Sequence, residues 1–160
     1  PFADARVIAG QGTAALELIR EVGALDALVA PISGGGLLAG SAIAASGLCH
    51  GIAIFGAEPE GADDAARSFA SGQLAKNSRV DTICDGLRAD LGAPNFAILR
   101  RLGTRILPVS DAEVMAALRL VYERLKIVIE PSCAAPLAAI RRHPDHFRGR
   151  RVGVILSGGN

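Results

Sequence analysis

Ala27-Leu28-Val29-Ala30-Pro31-Ile32-Ser33-Gly34-Gly35-Gly36-Leu37-Leu38-Ala39 is the stretch on which the fold turns. Its first six residues are an unbroken apolar run, short enough for a buried strand. Glycines follow at Gly34, Gly35 and Gly36, and residues 37–45 then read as a helix. Strand, glycine turn and helix in that order suit an anion. Without Cβ atoms the backbone can approach a ligand closely, and the unpaired N–H groups of the helix start point at it. A tight turn with no ligand is the plain alternative.

Working outward, strands are read at residues 52–55, 105–107 and 152–156, all apolar but for Arg105. Helical periods lie between them. One follows Gly10-Gln11-Gly12, with Ala15, Leu18, Ile19 and Val22 on one face and Gly23 to close it. Others are read over residues 62–69 and 95–102. Ser110-Asp111-Ala112-Glu113 is a capping-box signature opening a helix that aligns Val114, Ala117, Leu118, Val121 and Leu125. A last helix follows Glu130-Pro131-Ser132, and the polar residues 71–81 read as a loop. All-apolar strands alternating with helices predict an α/β fold: an open, mostly parallel sheet with helices on both faces. Such sheets bind ligands at the carboxyl ends of their strands. Both glycine-rich turns, residues 33–36 and Ser157-Gly158-Gly159-Asn160, fall there.

Composition removes several function classes. A chain of 160 residues can bury a core of useful size. Its 17 basic and 16 acidic residues nearly cancel, so no basic face argues for nucleic acid or an anionic membrane. Aromatics are 4% of the chain with no Trp, which leaves no base-stacking platform. No apolar run approaches the ~20 residues of a membrane span. Cys49, Cys84 and Cys133 are odd in number and widely spaced, as expected for reduced thiols in a cytoplasmic protein. Cys84 and Cys133 read as small buried hydrophobes. His50, His143 and His146 read as free surface histidines, and Arg100-Arg101 and Arg141-Arg142 as solvated helix faces.

The glycine loop alone fits two cofactors. Gly34-Gly35-Gly36-Leu37-Leu38-Ala39 satisfies the G-x-G-x-x-G/A dinucleotide fingerprint, and Glu58 falls where a ribose-binding acid would sit. A Rossmann-type oxidoreductase is therefore one reading. It leaves the second glycine turn, at Ser157, unexplained.

Several separated segments carry a more specific resemblance. They are Val7-Ile8-Ala9-Gly10-Gln11-Gly12-Thr13, Pro31-Ile32-Ser33-Gly34-Gly35-Gly36-Leu37-Leu38-Ala39-Gly40, Glu58-Pro59-Glu60-Gly61-Ala62-Asp63-Asp64, Thr82-Ile83-Cys84-Asp85-Gly86, Ile129-Glu130-Pro131-Ser132 and Leu156-Ser157-Gly158-Gly159-Asn160. In this order and over the whole chain, they resemble the threonine/serine dehydratase and serine racemase branch of the fold-type-II (tryptophan synthase beta-like) pyridoxal-phosphate enzymes.

The resemblance implies pyridoxal 5'-phosphate as cofactor. Its phosphate would lie on the N–H groups of Ser33, Gly34, Gly35, Gly36 and Leu37, and the Ser157 hydroxyl would meet the pyridine nitrogen. A hydroxyl partner does not force that nitrogen to be protonated, so the ring is a milder electron sink, suited to loss of a β-hydroxyl. Gly86 would border the ring and Phe2 would pack near it. Glu58, the carbonyl of Ala62 and Asp64 would hold a divalent cation, and an all-oxygen set suits Mg²⁺ or Ca²⁺. On chemistry alone, these acids read equally as charges at a helix start.

The resemblance also places residues 1–4 at the end of a small domain and residues 5–160 in the C-terminal part of the large, cofactor-binding domain. The lysine that carries the cofactor would belong to an N-terminal half. Lys76 and Lys126 are the two lysines here, and neither lies in a serine-x-lysine segment. No catalytic residue is therefore assigned within the chain, and by itself it is expected to be inactive.

The full protein implied is a homo-oligomeric L-threonine or L-serine ammonia-lyase that releases a 2-oxo acid and ammonia. Serine racemase is the sister alternative, and a cofactor-free interaction fragment the non-enzymatic one. Departures from the family pattern are Cys84, where alanine is usual, and Cys133, where glycine follows Glu-Pro-Ser. Pro136 is a third; it lies near the start of its helix, where proline is tolerated only within the first turn.

Overall fold

The computed structural model describes residues 2–159. Four strands, β1 (Ala27–Pro31), β2 (Ala53–Pro59), β3 (Arg105–Val109) and β4 (Val152–Val154), form one parallel sheet in the order β3-β2-β1-β4. The helices are α1 (Ala5–Gln11), α2 (Thr13–Val22), α3 (Gly36–Leu48), α4 (Asp64–Ser71), α5 (Ala93–Arg101), α6 (Asp111–Leu125) and α7 (Pro131–Arg142). They cover both faces of the sheet, which is the expected α/β fold.

Alternation along the strands decides which helices go where. Ala27 and Val29 of β1, with Phe55 and Ala57 of β2, pack against Val114, Ala117 and Val121 of α6 and the alanines of α7. Leu28, Ala30 and Ile54 point the other way, into a core with Ile8, Ala15, Ile19, Leu38, Ala42 and Leu99 from α1, α2, α3 and α5. Burial on both faces is why the strands read as apolar runs without alternation.

Four local features differ from the sequence reading. Helix α1 was not expected. Its seven residues carry little amphipathic signal, and it is started by Asp4, whose carboxylate accepts the Arg6 N–H at 2.8 Å. Strand β2 continues beyond Phe55, through Gly56 and Glu58, to Pro59. Gly56 is buried under α3: a Cβ there would lie 2.7 Å from Leu38 Cδ2, so glycine lets the helix settle on the strand. Strand β4 stops at Val154, because it pairs with β1 alone and only over Val152, Gly153 and Val154. Pro136 lies beyond the first turn of α7, whose first residue is Pro131. It gives up the bond to the Ser132 carbonyl. The helix continues because Ala134, Ala135, Ala138 and Ala139 are all buried around it.

The strand order positions the site. The chain steps outward from β1 to β2 to β3, then returns to lay β4 on the opposite side of β1. That reversal opens a crevice at the carboxyl ends of β1 and β4, the switch point where open α/β sheets bind their ligands.

Candidate functional site

A cavity of about 350 Å³ occupies this crevice. Ser33, Gly34, Gly35, Gly36 and Leu37 form one wall, and Gly86, Ser157 and Phe2 also line it. All eight residues singled out as cofactor-binding thus meet at one place. Asn160, the last residue of the second glycine turn, and Pro1 lie outside the described residues.

The glycine loop is held in an uncommon conformation. Ser33 has φ 44° and Gly35 has φ 89°. A left-handed serine costs free energy and persists only where its surroundings enforce it. Residues of alternating hand turn successive N–H groups to one side, forming an anion-binding concavity. Gly36 and Leu37 open α3, and their N–H groups have no protein acceptor among the described residues. The Gly34 carbonyl is fixed by the Asn95 side-chain amide at 2.6 Å and by the Gly92 N–H at 3.1 Å. Asn95 also donates to the Phe2 carbonyl at 3.0 Å. A Cβ on Gly34 would lie 2.5 Å from the Phe2 ring, so the phenyl group rests directly on the loop.

The opposite wall comes from two further loops. The Gly86 N–H donates to Ser132 Oγ at 2.9 Å, tying its turn to the start of α7. Upstream, Asp111 accepts the Thr82 hydroxyl at 2.6 Å and the Ile83 N–H at 3.0 Å. Thr82 Oγ1 accepts the Cys84 N–H at 3.1 Å. Ser157 follows β4, with its Oγ 3.7 Å from Cys133 Sγ. Among the described residues, neither Lys76 nor Lys126 lines the cavity, and no lining side chain is an acid or a base.

The acid cluster lies elsewhere. Glu58 lies near the end of β2, fully buried, and its two oxygens accept the Ala65 and Ala66 N–H groups at 3.0 and 2.9 Å, at the start of α4. Burial, only partly opposed by those two hydrogen bonds, pushes its carboxyl up to about 8. Asp64 accepts the Leu91 N–H and the Asn77 side-chain amide, both at 2.7 Å, and burial raises its carboxyl also. Ala62 sits between them in a buried 3-10 turn. Both carboxylates therefore staple backbone, as acids at a helix start do. Each oxygen retains a second lone pair for a cation. Glu58 does not line the cavity, so it cannot serve as the ribose acid of a dinucleotide site.

Sequence reasoning missed Asn95, Ser132 and the contact of Cys133 with Ser157. Asn95 gave a signal only as an amide at the buried start of an apolar helix. Arg142 is more than a solvated charge: it bridges Glu60 at 2.6 Å and Glu113 at 3.1 Å. His143 is half-buried and lies beside His146, ring centroids 6.1 Å apart and tilted, with its Nε2 unpartnered among the described residues.

Residues 1–158 match the family model described as pyridoxal-phosphate dependent enzyme. The chain is 46% identical to the beta-hydroxyaspartate dehydratase of Paracoccus denitrificans over all of its own length and 51% of that protein. The crystal structure of serine racemase from Dictyostelium discoideum superposes with a TM-score of 0.92 at 47% identity, covering 100% of this chain and 52% of that one. The threonine deaminase of T.th. superposes with a TM-score of 0.89 at 42% identity, covering 96% of this chain and 56% of that one. The chain thus spans about half the length of these relatives.

Proposed function

Because the chain belongs to the pyridoxal-phosphate-dependent enzyme family, we propose that it supplies the cofactor cradle of an L-threonine or L-serine ammonia-lyase. The observation that carries this reading is the meeting of an N–H-lined glycine loop and the Ser157 hydroxyl across one cavity. One end suits a phosphate and the other a ring nitrogen. Bound there, pyridoxal 5'-phosphate supplies the electron sink that lets an amino acid lose its α-proton.

The chain's own residues bind and orient. The N–H groups of Ser33, Gly34, Gly36 and Leu37 hold the phosphate without a compensating cation, as helix starts do, while the Gly35 N–H donates to the Ile32 carbonyl at 2.7 Å and holds the turn. The Ser157 hydroxyl donates to the ring nitrogen and leaves it uncharged. Phe2 shields the loop, and Gly86 lies close against the start of α7, where a Cβ would stand 3.0 Å from Ser132 Oγ and 3.3 Å from Glu130 Oε1. Since no described lining residue is an acid or a base, the group that moves the proton comes from the remainder of the protein. There it is the lysine that also carries the cofactor, in a half that precedes this one.

Elimination is favoured over racemisation because a neutral ring nitrogen suits loss of a β-hydroxyl. Relatives named dehydratase and deaminase point the same way, while the serine racemase match keeps the sister activity in play. The test is the full-length protein supplied separately with L-threonine, L-serine and 3-hydroxyaspartate. Release of 2-oxo acid and ammonia from L-threonine or L-serine, exceeding any D-serine formed, is expected. D-serine without 2-oxo acid would establish the racemase instead, and turnover of hydroxyaspartate alone would move the substrate class. The isolated chain is expected to show no turnover.

Glu58, Ala62 and Asp64 are proposed as the site of a Mg²⁺ or Ca²⁺ ion. A cation there relieves two buried carboxylates of their desolvation. Titration calorimetry of the full-length protein is expected to show one Mg²⁺ or Ca²⁺ per chain, lost on Asp64→Ala. An isotherm unchanged by that substitution would leave the two acids as helix caps only.

A further inference from the structure

Resting on the reading of Ser157 as the ring-nitrogen partner, we infer that Cys133 is the positioning residue that sets the direction of the Ser157 hydroxyl. Cys133 is fully buried in the first turn of α7, directly behind the loop that follows β4. Its sulfur accepts the Gly158 N–H at 2.9 Å and lies 3.7 Å from Ser157 Oγ. One thiol therefore contacts two consecutive residues of the turn that delivers Ser157 to the cavity.

The proton inventory fixes the direction of the second contact. A serine hydroxyl has one hydrogen to donate. If that hydrogen goes to the ring nitrogen, Ser157 can only accept from Cys133. The thiol then uses a sulfur lone pair for the Gly158 N–H and its own hydrogen for Ser157 Oγ. A glycine or alanine at position 133 offers neither, leaving the Ser157 hydroxyl free to rotate among acceptors. The register is set elsewhere: the Glu130 N–H donates to the Gly158 carbonyl at 3.2 Å, so the turn stays docked when the thiol is removed.

The experiment uses the full-length enzyme with cofactor bound, in the forms Cys133→Ala, Cys133→Ser, Ser157→Ala and the double variant. Cofactor absorption and fluorescence are recorded against pH beside kcat and KM. Cys133→Ala is expected to change the ratio of the two cofactor absorption bands and its pH profile. It should also lower kcat ~3- to 10-fold with KM nearly unchanged, as for loss of one hydrogen bond. Cys133→Ser, which keeps a donor and an acceptor, restores the spectrum. In a Ser157→Ala background, Cys133→Ala should add nothing, since its effect runs through that hydroxyl.

An unchanged spectrum and kcat in Cys133→Ala would overturn the assignment, as would a change that serine does not restore or that persists without Ser157. If Ser157→Ala itself leaves the cofactor spectrum untouched, the reading of Ser157 fails. A spectrum that responds to Ser157→Ala but not to Cys133→Ala sinks the role of Cys133 alone.

Discussion

Gly35→Ala is expected to weaken pyridoxal 5'-phosphate binding by the full-length protein at least tenfold. Gly35 has φ 89° and caps α3 at the glycine-loop end of the cavity. A Cβ at this angle costs ~1–2 kcal/mol in backbone strain alone. It would also stand 2.6 Å from Leu91 Cδ1 and 2.9 Å from Asn95 Cβ. Contacts that close require movement, and overpacking of this kind costs ~1–3 kcal/mol. Asn95 is the residue whose amide holds the Gly34 carbonyl in place. Pushing it aside loosens the loop that lines the cavity. A loop that relaxes out of this conformation when unbound must recover it to bind, and about 1.4 kcal/mol of that cost corresponds to a factor of ten in binding. Gly103→Ala is the control. Gly103 also has positive φ, at 66°, but a Cβ there meets nothing within 4 Å and the residue is remote from the cavity. Fluorescence titration with the cofactor should separate the two, with Gly103→Ala binding as the parent does.

The second large effect belongs to the fold. Gly40→Val in the full-length protein is expected to cost at least ~3 kcal/mol of stability, or to abolish soluble expression. A Cβ at Gly40 would lie 2.0 Å from the Ile8 carbonyl oxygen and 2.6 Å from the Gly12 nitrogen. The reverse also holds, since a Cβ at Gly12 would lie 2.7 Å from the Gly40 carbonyl. Helix α3 and the α1–α2 junction therefore touch backbone to backbone, with no flexible side chain to give way. Any side chain at Gly40 must lever α1 off the core that contains Ile8, Leu38 and Ala39. Denaturant unfolding measures the loss. A midpoint within a few tenths of a molar of the parent would show that the helices can separate cheaply, against this account.

What was legible in the sequence follows from what local pattern encodes. β1 announced itself because burial on both faces makes it wholly apolar, and the apolar stretches of the other three strands marked their positions. The capping box at Ser110 and Glu113 forms as expected, with both reciprocal hydrogen bonds present. The glycine loop could be named because its residues cluster in sequence, whereas Ser157 was named only through the family resemblance. That they face one another depends on β4 crossing to the far side of β1, a fact of topology that no local window contains. Asn95 was invisible for the same reason: its partners, Phe2 and Gly34, are 93 and 61 residues away. Glu58 showed the converse difficulty. Its type and spacing suited a ribose, a cation or a helix cap equally. Its place outside the cavity, with its carboxylate turned onto Ala65 and Ala66, removed the first.

The most direct test of the cradle is a crystal structure of the full-length protein with pyridoxal 5'-phosphate bound. The phosphate oxygens are expected within hydrogen-bond distance of the N–H groups of Ser33, Gly34, Gly36 and Leu37, with Ser157 Oγ at the pyridine nitrogen on the opposite side of the cavity. A phosphate anchored away from the glycine loop, or a ring nitrogen met by another group while Ser157 points elsewhere, would contradict the account.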